Sequence, residues 1–201
     1  MIVSKNFIWL HLPKTGGTST TQLFRNQNIK DLLIDDDRLK IKHDSIKLRE
    51  QTSDWRYDHQ KIFITFRRLE HWLISDWEHK RRWMNLPNLP FEPVRSGLFY
   101  SLRLGGTWVA ADWWIQYFDL DESVTALRLE HLEADLNKHI LPLLPKNSSK
   151  FKSIPIKNAN PDKLSGLKKQ KFSAYDLNII QQNNPKWSEW QAKLENNNKS
   201  C

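Results

Sequence analysis

A single α/β domain, with a mostly parallel central sheet flanked by helices in three layers, is what this sequence predicts. Three observations carry that expectation. Two short runs, residues 7–12 and 61–66, are nearly continuously apolar, as strands buried on both faces of a parallel sheet are. Each run passes into a polar or basic turn and then into a segment with apolar residues at three- and four-residue steps. A length of 201 residues suits one domain with a sizeable core, so one domain over residues 1–201 is expected, with 196–201 fraying.

Taken in order, the first run (FIWLHL) is stopped by Pro13. After Gly16 and Gly17, Thr18 or Ser19 is expected to cap a helix whose apolar positions include Leu23 and Phe24. The second run, KIFITF, concentrates β-branched and aromatic residues and leads straight into Arg67 and Arg68. In LEHWLISDWEHKRRW, residues 69–83, Leu69, Trp72, Leu73, Asp76, Trp77 and Lys80 share one helical face. Residues 107–118 read as an aromatic helix, 123–129 as a strand, and 130–144 as a helix ended by Pro145. Residues 145–172, rich in lysine with Pro145, Pro155 and Pro161, read as a basic, mostly irregular segment before a terminal helical region.

Hydrophobic residues at 39% and charged ones at 27% are ordinary globular usage, which argues against wholesale disorder. The net charge of +8 points to an anionic partner, a class that spans nucleic acid, nucleotide and acidic glycan. Cys201 is the sole cysteine, so neither an internal disulfide nor a cysteine-based metal site is available, which suits a cytoplasmic location. No apolar run approaches the ~20 residues of a membrane span, and the loop that follows the first strand begins too early to leave room for a signal sequence. The ten tryptophans include Trp72, Trp77 and Trp83, then Trp108, Trp113 and Trp114; helix faces packed into the core are their plainest account.

The chemistry concentrates in LHLPKTGGTST, residues 10–20. A loop between a strand and a helix aims several backbone N–H groups at one spot, where the helix dipole adds partial positive charge. Gly16 and Gly17 permit close backbone approach, Lys14 adds a full charge, and Thr18, Ser19 and Thr20 offer hydroxyls. The nucleotide-kinase loop G-x-x-x-x-G-K-[ST] places its lysine after the glycines. Here Lys14 precedes them and no glycine opens the loop.

In LPKTGGTST the chain resembles the sulfotransferases that use 3′-phosphoadenosine 5′-phosphosulfate (PAPS), whose 5′-phosphosulfate loop has the form P-K-[TS]-G-[TG]-[TS]-[ST]. RRLEHWLIS is similar, in part, to the family's 3′-phosphate element R-x-P-x-x-R-x-x-S: Arg67 and Ser75 stand eight apart, while Leu69 replaces its proline and Trp72 its second arginine. The resemblance implies a P-loop-like sheet, with Lys14, Thr15, Gly16, Gly17, Thr18, Ser19 and Thr20 around the phosphosulfate and Arg67 and Ser75 at the 3′-phosphate. It implies a metal-free reaction that leaves 3′-phosphoadenosine 5′-phosphate (PAP), with Lys14 neutralising the departing bridging oxygen. HDS, residues 43–45, is similar to the H-x-[SA] of the family's carbohydrate-type subgroup. His43 is therefore the candidate base, in keeping with a side chain that titrates near neutral pH.

LRLEHLEADL, residues 127–136, looks like the family's late strand and helix, with no catalytic role carried to Glu130 or Glu133. IPIKNANPDK, residues 154–163, is similar to a basic loop over the donor, which would bring Lys152 or Lys157 to it. Among the other histidines, His11 reads as a core or loop-supporting residue, and the eight-residue spacing of His71 and His79 does not suit a metal pair. Asp35, Asp36 and Asp37 invite a magnesium reading, but consecutive side chains diverge. The acceptor expected is a hydroxyl or amine, with a carbohydrate or glycosylated molecule favoured by the many aromatic rings. Two other readings stay open: an ATP-dependent small-molecule kinase, and a basic nucleic-acid-binding module using the lysine-rich 146–171 segment, which would leave the 10–20 loop unexplained.

Overall fold

The computed structural model describes residues 1–27, 29, 31–36, 38–152 and 171–196. Among them the strands are β1 (Ile2–Val3), β2 (Phe7–Leu10), β3 (Leu33–Ile34), β4 (Lys61–Phe66), β5 (Leu98–Ser101), β6 (Thr107–Ala110) and β7 (Thr125–Arg128). The helices are α1 (Gly17–Asn26), α2 (Ile46–Thr52), α3 (Leu69–Trp83), α4 (Glu92–Arg95), α5 (Asp112–Tyr117), α6 (Leu132–Asp135), α7 (Ala174–Asn183) and α8 (Pro185–Asn196). The expected strand at 61–66 and helix at 69–83 are present with those bounds. None of the helices is long and apolar enough to cross a membrane. The chain divides into two compact units, one within Met1–Arg67 and Tyr117–Lys157, the other within Arg68–Gln116 and Asn158–Cys201.

The first unit holds a five-stranded sheet in the order β3-β1-β2-β4-β7. β2–β4 and β4–β7 are parallel, whereas β1 pairs antiparallel with both β2 and β3. The fold is thus α/β, but its sheet is mixed rather than mostly parallel. A local turn accounts for the difference: Ser4 Oγ accepts from the N–H groups of Asn6 (3.1 Å) and Phe7 (2.9 Å), folding β1 back on β2 within a few residues. A two-residue strand carries too little periodicity to be read from sequence.

One face of this sheet presents Phe7, Trp9, Phe63 and Leu127, which form a core with Leu23 and Phe24 of α1 and with Leu132, Leu136 and Ile140. Trp9 also donates from Nε1 to Thr65 Oγ1 (3.0 Å), so the one buried hydroxyl of β4 is satisfied inside the sheet. The helix expected over 130–144 is broken into a 3₁₀ turn, α6, a π turn at Leu136–Ile140 and a 3₁₀ turn at Leu141–Leu143. Pro142 lacks an N–H and its ring obstructs the preceding turn, so a regular helix cannot run through it.

In the second unit Trp72 of α3 packs against Phe99 of β5 (5.3 Å between ring centroids) and Trp187 of α8 (4.9 Å). The helix expected over 107–118 begins instead as β6, which pairs antiparallel with β5; only α5 is helical. Gly105 and Gly106, both at positive φ, turn the chain, and the Gly106 N–H donates to the Ser101 carbonyl (3.0 Å). Thr107, Trp108 and Val109 then suit a pleated strand. The buried Asp112 carboxylate accepts from the N–H groups of Lys186 (2.8 Å) and Trp187 (2.7 Å) at the start of α8, while burial pushes its pKa up. The core-packing account holds for Trp72, Trp77 and Trp114, whereas Trp83 is 74% exposed.

Asp37, residues 153–170, which include the whole 154–163 basic loop with Lys157, and the tail 197–201 lie outside the described residues; Lys152 is exposed.

Candidate anion site

Except for Ser75, the site candidates lie in the first unit, and two of them follow the ends of its parallel strands. β2 and β4 pair with Leu10 opposite Ile64, so the 11–16 turn and Arg67 leave the same edge of the sheet. In that turn Thr15 is buried and donates from Oγ1 to the Leu12 carbonyl (2.7 Å). Lys14 takes φ 66°, a left-handed conformation uncommon for a side-chain-bearing residue. Gly16 follows at φ 80° as the N-cap of α1, two or three residues earlier than the Thr18 or Ser19 cap expected from sequence. Having no side chain, it makes no side-chain cap, and the start of a helix is where backbone N–H groups can meet an anion.

The two glycines answer different constraints, Gly16 chiefly its left-handed φ and Gly17 close packing. A Cβ on Gly16 would run into Leu129, which follows β7. A Cβ on Gly17 would fall inside the imidazole of His11. Thr20, buried in the first turn, ties the helix start together: its N–H (3.0 Å) and Oγ1 (3.1 Å) both donate to the Gly16 carbonyl. Ser19 is buried and Thr18 half-buried.

His43 ends a 3₁₀ turn at Lys40–His43. The next residues anchor it: Ser45 Oγ caps α2 by accepting from the Leu48 N–H (3.2 Å), and Arg49 of α2 makes a two-pronged pair with Asp35 (2.7 and 2.8 Å). Burial pushes Asp35 up, but Arg49 and the Met1 amino group outweigh it and hold the carboxyl below its usual range. Asp36 is paired with Arg38 (2.6 Å). Two of the three consecutive aspartates are therefore committed to arginines, and among the described residues no group of three or more His, Cys, Asp or Glu could hold a metal ion.

His43 Nδ1 lies 2.8 Å from the His11 carbonyl. A carbonyl only accepts, so in the neutral ring Nδ1 carries the proton and Nε2 the lone pair. The two imidazoles meet edge to face at 4.4 Å. His11 is 5% exposed; burial above all, then His43, the Met1 amino group and Lys42, hold it well below its ordinary value of 6.5, so it is neutral at neutral pH.

The structure thus brings the 14–20 turn, His11 and His43 together in the first unit, with Arg67 at the same sheet edge. Ser75 lies half-buried on α3 in the second unit. The contact of His11 with Gly17 was not legible beforehand; its only sequence signal is a polar residue closing an apolar strand. Compared with known proteins, the chain matches no family model, no curated protein and no solved structure.

Proposed function

We propose that the chain is a PAPS-dependent sulfotransferase of P-loop-like fold, moving a sulfuryl group to a hydroxyl or amine acceptor, with a carbohydrate favoured and a cytoplasmic location. The observation that carries this reading is the seating of His43, with Nε2 as its basic nitrogen, against His11, whose ring in turn meets Gly17 at the start of α1. Lys14 to Thr20 surround the 5′-phosphosulfate. Arg67 suits the 3′-phosphate because a guanidinium fork bonds two oxygens at once. Ser75 joins it on sequence spacing alone.

In the reaction the acceptor oxygen or nitrogen attacks sulfur while the bond from sulfur to the bridging oxygen breaks. His43 Nε2 takes the acceptor's proton, and Lys14 stabilises the negative charge left on the 5′-phosphate of PAP. No metal ion enters these steps. Calorimetry with PAP, ADP and ATP, each with and without magnesium, tests the reading. PAP is expected to bind at least tenfold more tightly than ADP regardless of magnesium; a magnesium-dependent preference for ATP would replace it with the kinase.

A further inference from the structure

We infer that His11 is a positioning residue: its imidazole is the spacer that fixes the distance between the ring of His43 and the first turn of α1. This rests on the sulfotransferase reading only for what it assigns to those two partners. The geometry is independent of that reading. The His11 ring stands edge to face with His43 at 4.4 Å, its carbonyl receives His43 Nδ1 at 2.8 Å, and the same ring fills the space where a Gly17 side chain would be. One residue thus touches the candidate base through ring and backbone and touches the donor turn through its edge.

Gly17 makes the inference sharp. It is helical and not at positive φ, so its backbone gives no reason for glycine. Alanine is intrinsically the better helix residue there. The three atoms nearest an added Cβ all belong to the imidazole of His11. The spacer role therefore predicts that Gly17→Ala reverses sign with the residue at position 11.

In the wild-type background Gly17→Ala is expected to lower the melting temperature by about 3–10 °C, the range for overpacking in a chain of this size. In the His11→Ala background the same change is expected to raise it, because the methyl group enters vacated space. PAP affinity is expected to follow the packing: Gly17→Ala weakens it at least tenfold in the wild-type background and by a smaller factor in the His11→Ala background. A double variant that melts no higher than the His11→Ala variant overturns the inference. Should Gly17→Ala not fold, ring ¹⁵N shifts of His43 in the His11→Ala protein decide. They are expected to move because the ring loses its edge-to-face neighbour, and unchanged shifts overturn the spacer role. A wild-type chain that ignores PAP defeats the donor assignment, while the melting pattern still decides the spacer.

Discussion

Two neighbouring parallel strands are left in different ways. After β2 the chain spends six residues, 11–16, with Lys14 and Gly16 both left-handed, before α1 opens on a glycine that cannot cap. After β4 only Arg67 and Arg68 precede α3, and the first N–H of that helix already donates to Gln191 Oε1 of α8 (3.1 Å). The longer turn brings two left-handed residues and a glycine to its helix start. The shorter one brings two arginines to a helix whose first N–H already has a partner. A donor with two unlike anionic ends suits that difference, with a phosphosulfate on backbone N–H groups and Lys14, and a compact phosphate on Arg67.

The largest effects that would break this comparison lie on the first turn. His43→Ala is expected to lower transfer by about 10²–10⁴ and Lys14→Ala by about 10²–10³, measured as PAP release across a panel of carbohydrate acceptors. Calorimetry should show PAP affinity within about threefold of wild type for His43→Ala; a larger loss would move His43 from base to donor contact.

On the second turn, Arg67→Ala is expected to weaken PAP by about 10–100-fold, the range for a hydrogen bond to a charged group, and to leave ADP unchanged. Ser75→Ala should weaken PAP by less than about fivefold. Equal losses for PAP and ADP would place Arg67 elsewhere on the nucleotide.

The pH dependence of stability sharpens the first turn further. His11 is held below 6.5 in the folded chain, chiefly by burial, so below about pH 6.5 the unfolded chain binds the extra proton. Stability from this residue is complete above pH 6.5 and is lost as pH falls toward the depressed folded value. His11→Phe should flatten that slope in urea titrations below about pH 6.5. His43, Lys42 and the Met1 amino group face His11 and remain in the variant, so a slope that persists unchanged would belong to a group other than His11. The smallest effect belongs to the closed helix: Gln191→Ala should cost about 1 kcal/mol, as loss of a helix-start acceptor does, without altering PAP affinity.

Legibility followed the range of the interactions. β4 and α3 were readable because KIFITF and LEHWLISDWEHKRRW carry their own periodicity. The 107–118 segment was misread because its tryptophans suit a helix face as well as a strand, and pairing with β5 decided between them. The mixed sheet escaped notice because β1 and β3 are two residues each and exist only through their partners.

By itself the sequence determined the chemistry available at the first turn: a lysine ahead of two glycines, a run of hydroxyl residues, and a strand before them. Those are local properties of residue type and order. The tertiary structure alone decided that His11 and His43, 32 residues apart, share a ring contact, and that Gly17 has no room for a methyl group. Close packing between distant segments sets such distances, and no local pattern encodes them.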